Sequence, residues 1–254
     1  MPVAALALPT QLREGDRLTA AEFMRRWEAM PELKRAELIG GLVFMSSPLS
    51  LPHANAHLEL GPWLWLYKDS TPGCDIGSDC TWLMGPKDVP QPDLFLRILP
   101  EYGGQSGVEG IYAAGAPELI VEVTGSSVSR DLGVKLELYR RAGVREYLTA
   151  MLHSRQIIWR QLVRGRYREI EPDDGGLLRS EVFPGLWLDP AAVWNPAISI
   201  RTAVEKGIQS PEHDTFARRL ATQLRKEFYS FLRTLQLITM PFGSNRATPL
   251  PQSL

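Results

Sequence analysis

The chain has 254 residues, of which 44% are hydrophobic and 22% charged, enough for one sizeable core with some length left over. Its 28 basic and 29 acidic side chains leave a formal net charge of -1, so any contact with nucleic acid must come from a local patch or a metal site. No apolar run approaches the roughly 20 residues that span a bilayer, so no membrane span and a cytoplasmic location are the expectations.

Residues 1–17 read as a loose leader; they lack a basic n-region and a long apolar stretch, so no signal peptide is expected. LTAAEFMRRWEAM reads as a helix. Thr19 is its cap, Glu22 stands where a capping box places it, and Phe23, Trp27 and Met30 form an apolar stripe. KRAELIGGLVFMSS reads as a hairpin turning at Gly40-Gly41. HANAHLELGPWLWLYKDS reads as a helix with a late break at Pro62. Cys74 to Met84 reads as a strand with Ile76, Cys80, Trp82 and Met84 on one face, followed by a turn at Gly85-Pro86-Lys87-Asp88. PQPDLFLRILP reads as a second strand, and EYGGQSGVEGIYAAGA as a loop.

PELIVEV is a short, dense strand. TGSSVSRDLGVKLELYRRAGV starts as a loop and becomes a helix ending at Gly143. REYLTAML, SRQIIWRQLV and RYREIEP read as a meander of three strands, and FPGLWLDPAAVW closes the domain. Residues 198–240 read as an amphipathic helical extension, and 241–254 as a Pro/Ser-rich tail of the disordered type. That extension is a candidate dimer interface.

Two acids sit inside apolar strands: Asp93 in QPDLFL and Glu122 in LIVEV. Alternation puts Glu122 on the same face as Ile120 and Thr124, opposite Val121 and Val123. A lone acid there reads as a solvent-facing edge position or half of an ion pair. Two acids on neighbouring strands make a hard oxygen site suited to Mg²⁺ or Mn²⁺. Asp131, Lys135 and Tyr139 recur at steps of four, on one helix face. Asp131 and Lys135 make either an exposed ion pair or a lysine reaching back to Glu122; spacing alone leaves both open. Cys74 and Cys80 fit no zinc pattern and read as reduced thiols. His53 and His57 share a helix face but lack a third ligand; His53 reads as a residue beside the site, His57 as surface or core. The tryptophans, among them Trp63, Trp65 and Trp82, read as core.

RAELIGGLVFMSSP, His53, VPQPDLFL and APELIVEVTGSSVSRDLGVKLELYRRAGVREYL, in that order, resemble the Uma-type family of restriction endonucleases within the PD-(D/E)XK nuclease superfamily. The resemblance runs over roughly residues 17–195. It implies an α/β fold: a central mixed β-sheet flanked by helices, here with the helical C-terminal extension, in a domain spanning 18–197. It also implies a metal-dependent DNA endonuclease with Mg²⁺ or Mn²⁺ at the acidic cluster. By the same resemblance Asp93 and Glu122 are the motif acids, Glu37 an added metal ligand, and Lys135 the catalytic lysine. Asp131, His53 and Tyr139 are supporting residues, and DNA is the partner. The superfamily's usual lysine position holds Thr124, and two commonly acidic positions hold Gly40 and Leu42. These departures carry the alternative reading, a nuclease fold with a binding or regulatory role and no turnover. A Lys135 ammonium far from both carboxylates would favour that alternative.

Overall fold

The β-branched run of LIVEVT becomes the middle of the protein. In the computed structural model, which describes residues 11–45, 48–125 and 133–238, β8 (Leu119–Thr124) is buried at every position. The other elements, in chain order, are α1 (Ala20–Glu28), β1 (Ala36–Ile39), β2 (Leu42–Met45), α2 (Leu51–Asp69), β3 (Cys74–Ser78), β4 (Trp82–Leu83) and β5 (Leu94–Ile98). There follow β6 (Gly107–Glu109), β7 (Tyr112–Ala114), α3 (Lys135–Ala142), β9 (Glu146–Met151), β10 (Gln156–Val163) and β11 (Arg166–Glu169). β12 (Leu178–Arg179), β13 (Trp187–Leu188), α4 (Ile200–Ile208) and α5 (Pro211–Ile238) complete the described helices and strands.

Six strands form one mixed sheet in the order β11-β10-β9-β8-β5-β3. β8 and β9 are parallel, joined by a crossover through α3, and their other neighbours are antiparallel. The fold is therefore α/β, a central mixed sheet flanked by helices. Because β8 is interior, Glu122 is not at a sheet edge. Val121 and Val123 pack in the main core with Leu60, Trp63 and Leu64 of α2. Ile120 packs on the other face with Ile39 of β1 and Leu138 and Tyr139 of α3. β1 and β2 pair as a hairpin whose turn glycines have positive φ, 59° at Gly40 and 83° at Gly41, the geometry of a tight reversed turn.

Several elements depart from the sequence reading. Thr19 caps α1, accepting from the Glu22 N–H at 3.3 Å, but the Glu22 carboxylate turns to Arg25 and Arg26 rather than back to the cap. α2 runs unbroken through Pro62, because Leu60, Trp63, Leu64 and Tyr67 anchor its inner face on both sides of the proline. Trp65, expected in the core, is 51% exposed. Cys74–Met84 is not one strand: Asp79, at φ 52°, redirects the chain, so β3 joins the main sheet and β4 a separate three-stranded sheet. The glycine-rich loop holds the β6–β7 hairpin of that small sheet.

Both termini of the domain are longer than expected. Within the expected leader, Leu12 is buried, and Gly15 and Asp16 share backbone hydrogen bonds with Val43. Residues 1–10 and 239–254, the latter including the expected tail, lie outside the described residues. The expected extension after 197 is built into the core: Ile200, Val204, Phe216 and Leu220 join the cluster around Trp63 and Val121. Gly207 abuts the Gly185 carbonyl so closely that a Cβ there would lie 2.1 Å from its oxygen. His213 is buried, its Nε2 2.9 Å from Thr71 Oγ1 at the end of α2.

Candidate functional site

The β5–β8 register pairs Leu94 with Val121, and one further step sets Asp93 beside Glu122. Asp93 Oδ2 accepts from the Val123 N–H at 2.7 Å, tying the two strands together at the acids. Glu122 faces the α3 side, as alternation required, and Glu37 enters from β1 on that same side, in line with Ile39. Asp93, Glu122 and Glu37 are 8%, 3% and 4% exposed.

Lys135, the first residue of α3, is 3% exposed, and its Nζ lies 2.8 Å from Glu122 Oε1 and 2.9 Å from Glu37 Oε1. The lysine thus reaches back to Glu122; Asp131 lies outside the described residues. One turn on, Tyr139 donates its hydroxyl to Glu122 Oε1 at 2.7 Å. Burial, and after it the negative charge of Glu122 and Glu37, pushes the Tyr139 phenol well above its ordinary range, so it stays a donor. Tyr139 therefore restrains Glu122 while Lys135 compensates its charge.

α2 covers the opposite face, but its first turn reaches the site. His53 Nε2 lies 3.3 Å from Asp93 Oδ2, and His57 Nε2 lies 3.0 Å from the Asp93 carbonyl oxygen. The two imidazoles stack with centroids 6.4 Å apart. Burial pushes the Asp93 carboxyl up, but His53, the Val123 N–H and the charge of Lys135 together outweigh it and hold Asp93 below the usual carboxylate range. Asp93 is therefore ionised at neutral pH.

The expected three-carboxylate cluster is not assembled as such. Among the described residues no three carboxylate, imidazole or thiol groups converge as they would around a metal ion. The reason is local: the Lys135 ammonium stands between Glu37 and Glu122, while Asp93 turns toward His53 and the Val123 N–H. Composition gave no hint of two further contributors. The Gln91 N–H donates to Glu37 Oε1 at 2.8 Å, fixing that side chain, and His57 holds the Asp93 backbone. Their only sequence signals were proximity to Asp93 and the four-residue step from His53. Trp63 and Trp82 are fully buried, as core residues should be, and both cysteines are free.

No described helix is long and apolar enough to cross a membrane. No curated protein matches the chain. A crystal structure described as "a putative nuclease belonging to DUF820" from Anabaena variabilis ATCC 29413 is similar to this fold, with a TM-score of 0.52 and 14% identity, covering 74% of this chain and 98% of that one. At that identity the likeness speaks for the fold. The family model that matches residues 20–191 takes in all four acidic and basic residues of the buried cluster. The chain belongs to the Uma2 family, whose description is "Putative restriction endonuclease".

Proposed function

We propose that the protein is a metal-dependent endonuclease that hydrolyses DNA phosphodiester bonds at the Asp93–Glu122 cluster. The observation that carries this reading is the buried Lys135 bridging Glu37 of β1 and Glu122 of β8, with Asp93 beside Glu122 and tied to the Val123 N–H. The donor chemistry, carboxylate oxygens, is that of a hard divalent cation, although among the described residues the three carboxylates do not converge on one point. Among the described residues, three buried carboxylates lie beside one ammonium, a hard-oxygen environment that favours a divalent cation.

Asp93 and Glu122 would hold Mg²⁺ or Mn²⁺, with Glu37 as an added ligand. When bound, the metal supplies charge to stabilise a phosphate and a water of lowered pKa. His53 and the Val123 N–H orient Asp93, and Tyr139 fixes Glu122. Lys135 carries the second positive charge, to orient the attacking water or to steady charge building on the phosphate. The alternative, a nuclease fold without turnover, called for a lysine pointing to solvent far from both carboxylates. The buried Lys135, 2.8 Å from Glu122, supports the catalytic reading instead.

The test is cleavage of supercoiled, linear and single-stranded DNA by the purified chain with Mg²⁺ or Mn²⁺, beside Asp93→Ala and Lys135→Ala. Cleavage lost in both variants, with metal affinity lost only in Asp93→Ala, is the expected result. No cleavage of any DNA form by the wild type, with unchanged metal affinity in Asp93→Ala, would refute the proposal.

A further inference from the structure

An exposed apolar surface lies on α2, away from the cluster. Its inner face, with Leu60, Trp63, Leu64 and Tyr67, is buried. Its outer face carries an apolar stripe too, flanked by the exposed Glu59. Leu51, Leu58 and Trp65, each seven residues apart, are 73%, 71% and 51% exposed. Ala54, Asn55 and Pro62, all exposed, lie on the same stripe, since at 3.6 residues per turn all six fall within about 60° of the Leu51 direction. No charged residue enters that stripe before Asp69 at the helix end. An exposed apolar stripe of this length is ordinarily covered by a partner.

We propose that this face is where two copies of the chain dimerise, as an antiparallel pair of α2 helices with the two-fold axis passing by Leu58. The spacing carries the choice of a second copy. Leu51 and Trp65 lie seven residues either side of Leu58, and Ala54 and Pro62 lie four either side. A two-fold axis at Leu58 therefore sets Leu51 against Trp65 of the partner subunit and the small Ala54 against the partner's Pro62. Such an interface is isologous, each patch meeting its own copy. The area agrees: with Leu49, 53% exposed just before the helix, the exposed apolar surface is roughly 450 Å² per copy. Two copies bury about 900–1,000 Å², close to the lower bound for a specific interface before any flanking contact is added. The interface differs from the one expected on the C-terminal helices, whose first half is instead taken up by the core. It stands independently of the nuclease reading.

Sedimentation equilibrium of the full chain tests it. The expected mass is twice 28.5 kDa at micromolar concentration, with the dissociation constant raised at least ~100-fold in Leu58→Glu. Leu58 is exposed in the single chain, so the variant should keep the wild-type circular dichroism. Under mild oxidation Leu58→Cys should cross-link to itself across the axis. Leu51→Cys should cross-link only when Trp65→Cys is present. A wild type that stays monomeric to about 100 µM overturns the proposal, as does a dimer that Leu58→Glu leaves equally tight. A monomer whose Leu58→Cys thiol resists alkylation would mean that a segment of the same chain covers the ridge, and would overturn it too.

Discussion

Lys135→Met should be the most damaging single change to stability near the site. The lysine ammonium is within 3 Å of two carboxylates, and all three groups are buried. Removing one member of a buried ion pair costs about 3–5 kcal/mol, because the charge left behind is cut off from water and has lost its counter-ion. Here two carboxylates are left facing each other, so the loss should reach the top of that range, about 5 kcal/mol. In a chain of this size that corresponds to a fall in Tm of about 10–20 °C, measured by thermal unfolding in the presence of a chelator. Two further outcomes follow from the same geometry. Glu122→Gln combined with Lys135→Met should lose less than the sum of the single changes, because only Glu37 is then left without the ammonium. Mg²⁺ at a hundred times its dissociation constant should return about 2.7 kcal/mol to the Lys135→Met variant. A Tm within a degree of wild type without metal would refute the claim that Lys135 neutralises the cluster.

Away from the site, burial pushes the Glu146 carboxyl up to about 7, although Ser180 and the Glu181 and Val182 N–H groups oppose it. An acid with a raised folded-state pKa loses stability as pH rises from its unfolded value near 4.5 toward 7, here on the order of 3 kcal/mol. Glu146→Gln does not titrate, so its Tm should gain on the wild type across that window; a pH-independent difference would refute the assignment. Thr149 pairs with Glu122 in the β8–β9 register, and its hydroxyl is buried without a hydrogen-bond partner among the described residues. Thr149→Val should therefore stabilise by about 1 kcal/mol, read as an increased urea midpoint, and a decreased midpoint would show that the hydroxyl is engaged.

Local chemistry made part of this architecture readable in advance. Alternation alone gave the face of Glu122, the paired glycines gave the β1–β2 turn, and Gly143, at φ 85°, ends α3 where a left-handed residue was expected. What escaped the reading was set by distant partners. Pro62 looked like a break, because the packing that holds α2 together around it comes from strands far along the chain. The Asp79 bend needed a positive φ that aspartate tolerates but does not announce. That Glu37, Asp93, Glu122 and Lys135 lie near one another was legible; how they are wired was not. Lys135 could be aimed at Glu122 from sequence, but its simultaneous contact with Glu37 depends on how the β1–β2 hairpin docks across the sheet.

The contact between Gly185 and Gly207 gives the family boundary a different meaning. The matched segment stops at residue 191, yet α4 lies backbone against backbone on the turn before β13, and Val204, Phe216 and Leu220 fill the space beneath α2. The same α2 carries His53 at its other end, against Asp93. A fragment cut at the family boundary would open the apolar underside of the helix that steadies the acid. The segment matched by the family is thus smaller than the packed core, and residues 198–220 form one wall of this α/β domain rather than an appendage to it.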